Sequence, residues 1–243
     1  MVTARPDDWR TPWAGIGVGV LVAAAVSLLL VRDREATKDE PKDGAEPSRT
    51  FGQALASPAF WAFAVGTSFY GLVAAGTSLF NESLLAERGF PKAVFLNATV
   101  VGIPVGLAAN LLGGWLATRL PLGGLLAGGL VLLAGALGAF PRVAAEWQAY
   151  AYASALAAAG GVITVCFFTV WRRAYGPAAL GRIQGAAQLL TVLFSAAGPL
   201  LFAAAKTRLG GYAPLFPWLA GAALALAAFA WSVRVRPPTG DER

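Results

Sequence analysis

The first chemistry in this sequence lies in polar side chains set inside long apolar stretches. Gln184, Gln188, Thr191 and Ser195 recur at i, i+4, i+7 and i+11, a spacing that stacks them on one face of a helix. Tyr70, Thr77 and Asn81 share a face at i, i+7 and i+11, and Thr99, Gly106 and Asn110 repeat that spacing. Tyr150, Ser154, Gly161 and Thr164 form a looser stripe. Amides and hydroxyls donate and accept hydrogen bonds but carry no charge near neutral pH, so such faces can hold a solute without proton transfer. They can also simply join helices, at about 0.6 kcal/mol per bond. A single Ser or Thr fits the joining role, because it can bond back to its own helix. The Gln184/Gln188 pair fits a cavity wall, because two amides in hydrocarbon need partners or water.

Other chemistries are excluded by what is missing. The chain has no histidine, which removes imidazole metal sites, Ser-His catalysis and imidazole proton relays. The one cysteine, Cys166, lies in an apolar run, so there is no disulfide framework. A membrane aspartyl protease would need two acids inside the bilayer, and a retinal-type receptor would need a lysine inside the last helix, whereas Lys206 falls at a loop edge. No Gly-x-x-x-x-Gly-Lys phosphate cradle occurs. An enzyme is not expected, and neither a metal nor any other cofactor is called for. The net charge of +6 carries no aromatic-interleaved basic stripe, so no nucleic-acid partner is expected.

The elements that position these residues follow from composition. The chain is 57% hydrophobic and only 13% charged, about half the charge that a water-facing surface uses. Seven runs could each cross the bilayer: Trp13 to Val31, Ala59 to Phe80, Ala93 to Thr118, Leu122 to Phe140, Trp147 to Trp171, Ile183 to Ala205 and Ala213 to Val233. None contains Asp, Glu, Lys or Arg, each costly at mid-membrane. The expected fold is therefore an all-α membrane protein of about seven transmembrane helices. Pro104 and Pro199 fall inside two polar-faced runs and are expected to kink them.

Residues 1–12 read as an extracytoplasmic tail and 13–31 as a lone helix. Residues 32–57 read as a cytoplasmic, mostly disordered linker, 58–235 as a six-helix bundle and 236–243 as a cytoplasmic tail. Arg32, Arg34, Lys38, Lys42, Arg49, Arg119, Arg172, Arg173, Arg182, Arg234, Arg236 and Arg243 then lie inside. Only Arg5, Arg10, Arg88, Lys92, Arg142, Lys206 and Arg208 lie outside. The bias predicts an outside amino terminus and an inside carboxyl terminus in a cell (plasma or inner) membrane.

The runs differ in polar content. Trp13–Val31 carries only Ser27, Leu122–Phe140 carries nothing polar and Ala213–Val233 only Ser232, so these three are expected at the lipid-facing outside. After the linker, two polar-faced helices are followed by a bare one, and the pattern repeats, a three-helix period found in transporters. Gly114-Trp115-Leu116-Ala117-Thr118-Arg119 sits after the second of these helices, and Arg172-Arg173-Ala174-Tyr175-Gly176-Pro177 through Gly181-Arg182-Ile183-Gln184-Gly185 joins the fourth and fifth.

In this layout and these motifs the chain resembles the carboxyl-terminal half of a major facilitator superfamily transporter, preceded by that family's sixth helix and central loop. The first motif resembles the family's Gly-x-Leu-Ala-Asp-Arg gating loop, with Thr118 in place of the acid. The second is similar to the loop between the tenth and eleventh helices, nearest the monocarboxylate and oxalate/formate-exchanger branch. The resemblance implies gating roles for Gly114, Arg119, Arg173 and Arg182. With the polar stripes it implies a solute path lined by Tyr70, Thr77, Asn81, Thr99, Asn110, Tyr150, Ser154, Gln184, Gln188 and Thr191. The expected function is secondary transport of a small solute, an organic anion among the candidates, by alternating access. The expected partners are the lipid bilayer, the solute and an amino-terminal transporter half. The alternative is a truncated, non-transporting membrane fragment or scaffold.

Overall fold

The computed structural model describes residues 10–30 and 48–235. The remainder of the 32–57 linker, 32–47, and most of both expected tails lie outside the described residues. Helix α1 (Arg10–Leu30) belongs to a separate unit. Its side chains from Ala14 to Ser27 are exposed, and Gly15, Gly17 and Gly19 meet nothing within 4 Å. The second unit contains α2 (Phe51–Ala56), α3 (Pro58–Glu87), α4 (Lys92–Ala117), α5 (Leu122–Ala139), α6 (Glu146–Tyr175), α7 (Leu180–Arg208) and α8 (Phe216–Ser232). Six segments are long and apolar enough to cross a membrane, and no strand occurs among the described residues.

Helix α2 lies within the stretch expected to be unstructured linker, which is corrected at its carboxyl-terminal end. Thr50 and Gln53 form a reciprocal capping box that starts it, with Gln53 Oε1 accepting from the Thr50 amide at 2.8 Å. Ser57 then caps α3, accepting from the Phe60 amide, and pairs with the Tyr175 hydroxyl at 2.6 Å. These bonds carry the start of α3 to the end of α6.

Helices α3 and α6 form the centre. Helix α7 packs along α3, α4 along α6, and α5 lies between α6 and α8. Small residues set these approaches. A Cβ on Gly161 would stand 2.6 Å from the Gly106 carbonyl oxygen, so α6 and α4 meet backbone to backbone. Gly198 of α7 likewise lies against the Leu72 carbonyl of α3. Both α4 and α7 continue unbroken through Pro104 and Pro199. Phe140, Tyr152, Phe202 and Phe216 make a buried aromatic cluster, with Phe140 stacked on Phe216 at 4.1 Å.

Burial runs against the expectation for the polar-free helices. Helix α5 is the most enclosed, with 61% of its most apolar stretch buried, whereas the figure is 11% for α4 and 17% for α7. The reason is steric. Without long or polar side chains, α5 lets α8 so close that a Cβ on Gly123 would stand 2.7 Å from the carbonyls of Ala230 and Val233. Helices α4 and α7 instead expose Val100, Ile103, Leu107, Leu111, Leu189, Val192, Leu193 and Leu200.

Candidate functional site: two clefts on a shared face

The polar stripes converge on two adjacent clefts. The larger, about 410 Å³, lies among α3, α4 and α6 and is lined by Tyr70, Thr77, Ser78, Asn81, Thr99 and Tyr152, with Ala98, Gly102, Gly106 and Ala157 among its walls. The smaller, about 200 Å³, lies among α3, α6 and α7 and includes Thr67, Tyr70, Thr164, Gln188 and Thr191. Tyr70 belongs to both linings, so its ring is the partition they share. Its hydroxyl rests on the bare Cα of Gly160, where any Cβ would collide with it.

Hydrogen bonding decides what each lining residue can offer. Thr77 donates to the carbonyls of Val73 at 2.7 Å and Ala74 at 3.3 Å, and Thr99 donates to Phe95 at 2.9 Å. Their hydroxyl protons are engaged by their own helices, which leaves oxygen lone pairs toward the cleft. Thr191 donates to Ala187 at 3.0 Å, so Ser68 is the donor in its 3.0 Å bond to Thr191, which ties α3 to α7. Asn81 and Gln188 form no side-chain hydrogen bond among the described residues, and both retain donors and acceptors. The clefts can therefore hold hydroxyl, amide or carbonyl groups, and neither is lined by a charged residue.

Six expected path residues thus line the larger or smaller cleft from α3, α4 and α7: Tyr70, Thr77, Asn81, Thr99, Gln188 and Thr191. Asn110 lies half-buried on α4 outside both linings, with its backbone against Gly161. Gln184, Tyr150 and Ser154 are half-buried and also lie outside both linings. On α6 the larger cleft takes Tyr152, Ala153, Leu156 and Ala157 instead. Tyr152 escaped the sequence reading because its register belongs to the buried apolar face of α6. The available signal was a tyrosine in step with Ala159 and Ile163.

The family model of the Major Facilitator Superfamily matches residues 2–199, which include α1 to α6 and most of α7. This chain belongs to the Major Facilitator Superfamily. A search of curated proteins finds no match. It is accordingly a multi-pass membrane protein of a transporter family.

In this major facilitator chain the loop residues divide their work unevenly. Arg173, at the end of α6, donates through Nη1 to the carbonyl oxygen of Ala117 at 2.6 Å. It thereby caps the carboxyl terminus of α4 and sets a positive charge where the helix dipole is negative. Arg119 instead lies over the Trp115 ring at 4.2 Å. Gly114 meets nothing within 4 Å, and Arg182 is exposed in the first turn of α7. At the opposite end, Glu87 accepts from Lys206 at 3.0 Å and from the amides of Tyr212 and Ala213, while Arg88 donates to Val143.

Proposed function

We propose that this chain is one bundle of a secondary transporter that carries a small solute by alternating access. The observation that carries the reading is the convergence of polar residues from α3, α4, α6 and α7 on one face, where α4 and α7 leave their outer sides uncovered. A second six-helix bundle of the same family would close that face, place the solute between the halves and expose it to each side in turn. On this reading 13–31 is a spanning helix and the 32–57 stretch connects the bundles. The described end that carries Arg49, Arg119, Arg172, Arg173, Arg182 and Arg234 has no acidic residue, whereas Glu82, Glu87 and Glu146 all sit at the other. That asymmetry supports the Arg173 end as cytoplasmic in a cell (plasma or inner) membrane.

The likeness of the Arg172–Gly185 stretch to the monocarboxylate branch favours an organic anion. Its charge would be met by the second bundle, because the clefts offer only hydroxyl and amide groups. The test is solute uptake. Proteoliposomes carrying the chain alone show no saturable uptake of radiolabelled monocarboxylates. Adding an amino-terminal six-helix half produces uptake that Gln188→Ala lowers without reducing membrane abundance. Saturable uptake by the chain alone would end the two-bundle reading.

A further inference from the structure

A further cavity adjoins the larger polar cleft at Tyr152, which lines both. It is a groove of about 890 Å³ between α5 and α6, floored by Val131, Leu132, Gly135, Ala151 and Ala155, with Arg142, Trp147 and Gln148 at its mouth. Arg142 lies just past the end of α5. Its one hydrogen bond is a long one to Gly138 O at 3.3 Å, and it forms no ion pair among the described residues. Trp147 is 68% exposed beside it, where an indole suits the boundary between hydrocarbon and headgroups. Gln148 holds the connecting loop by accepting from the amides of Ala144 and Ala145. Tyr152 also lines the groove, almost wholly buried, and its hydroxyl lacks any hydrogen-bond partner, an expensive state for a polar group inside a protein. A cation and an indole at the mouth and an apolar floor running toward mid-membrane describe one kind of ligand.

We propose that this groove binds an anionic phospholipid, its acyl chain on the α5–α6 floor and its phosphate at Arg142. The charge complementarity selects a lipid over a second apolar helix, which would leave the guanidinium without a counter-charge. The site is independent of the transport reading. Native mass spectrometry of the detergent-purified chain tests it, with phosphatidylglycerol and phosphatidylcholine of matched acyl chains as probes. The protein retains phosphatidylglycerol about tenfold better, as expected for a charge-assisted hydrogen bond. Arg142→Gln brings the two lipids to parity, whereas Lys92→Gln, an exposed cation at the same end, changes nothing. Gly135→Phe lowers retention of both lipids. A Cβ on Gly135 meets nothing within 4 Å, so a side chain can leave the helix there toward the groove, and an unchanged melting temperature of the variant shows that the fold is kept. Equal retention of both lipids by the unaltered chain would overturn the proposal, as would a preference that survives Arg142→Gln. A detergent-stable dimer that Gly135→Phe dissolves would give the groove to a second copy instead.

Discussion

Arg173 Nη1 lies 2.6 Å from the carbonyl oxygen of Ala117, so the last turn of α6 caps the last turn of α4. The two helices also pack along their length, and this bond closes their contact at the end where the α4–α5 loop turns. A guanidinium at that place satisfies a carbonyl that the helix itself leaves open.

Removing that cap has a defined cost. Arg173→Ala lowers stability by about 1 kcal/mol, the scale of one partly buried charge-assisted bond at a helix terminus. Arg119→Ala, which loses only an exposed contact with Trp115, stays within about 0.5 kcal/mol. Thermal unfolding of the two variants in detergent compares them, and equal losses would deny Arg173 its capping role.

Glycines on α4 and α6 separate packing from mere composition. Gly161→Ala pushes a methyl group against the Gly106 carbonyl and the Asn110 amide, and overpacking of this kind costs roughly 1–3 kcal/mol. Gly114→Ala meets open space within a helix and is neutral or stabilising by about 0.5–1 kcal/mol. Melting temperatures that move together would refute the close crossing.

At the opposite end, Glu87 joins α3 to the α7–α8 turn through one cation and two backbone amides. Glu87→Ala therefore costs more than Lys206→Ala, about 2 kcal/mol against less than about 1 kcal/mol, because it strands amides rather than one solvated ammonium. Added salt narrows the Lys206→Ala effect and leaves most of the Glu87→Ala effect in place. Denaturation of both variants at low and high ionic strength measures the order.

The two clefts make separable demands on transport. Tyr70→Phe removes a hydroxyl from the partition between them and lowers uptake in the two-bundle assembly, as does Gln188→Ala. Tyr150→Phe, outside both linings, leaves uptake unchanged. Uptake per molecule at the membrane is the readout, and loss on Tyr150→Phe with retention on Tyr70→Phe would relocate the path.

Much of the fold was legible because one physical demand dominates it. Stretches such as Leu122–Phe140 and Ile183–Ala205 carry no charge and are long enough to span hydrocarbon, where backbone groups must bond internally, and both emerge as helices. The lining of the candidate cleft was legible where polar residues shared a stripe, as with Tyr70, Thr77 and Asn81 on α3. It was not legible on α6. There the helical period cannot say which of two tyrosines two positions apart turns toward a neighbour, and Tyr152 rather than Tyr150 reaches the cleft.

Solvent chemistry, then, is written in the sequence: apolar length, missing charge and the placement of arginines declare a helical membrane protein before any coordinate exists. Contact between helices is not written there. That α5 lies enclosed while α4 and α7 stand uncovered, and that Arg173 rather than Arg119 caps α4, depends on where glycines allow backbones to meet. Hydropathy records a side chain's preference for lipid over water, and it carries no information about which apolar neighbour will supply the contact.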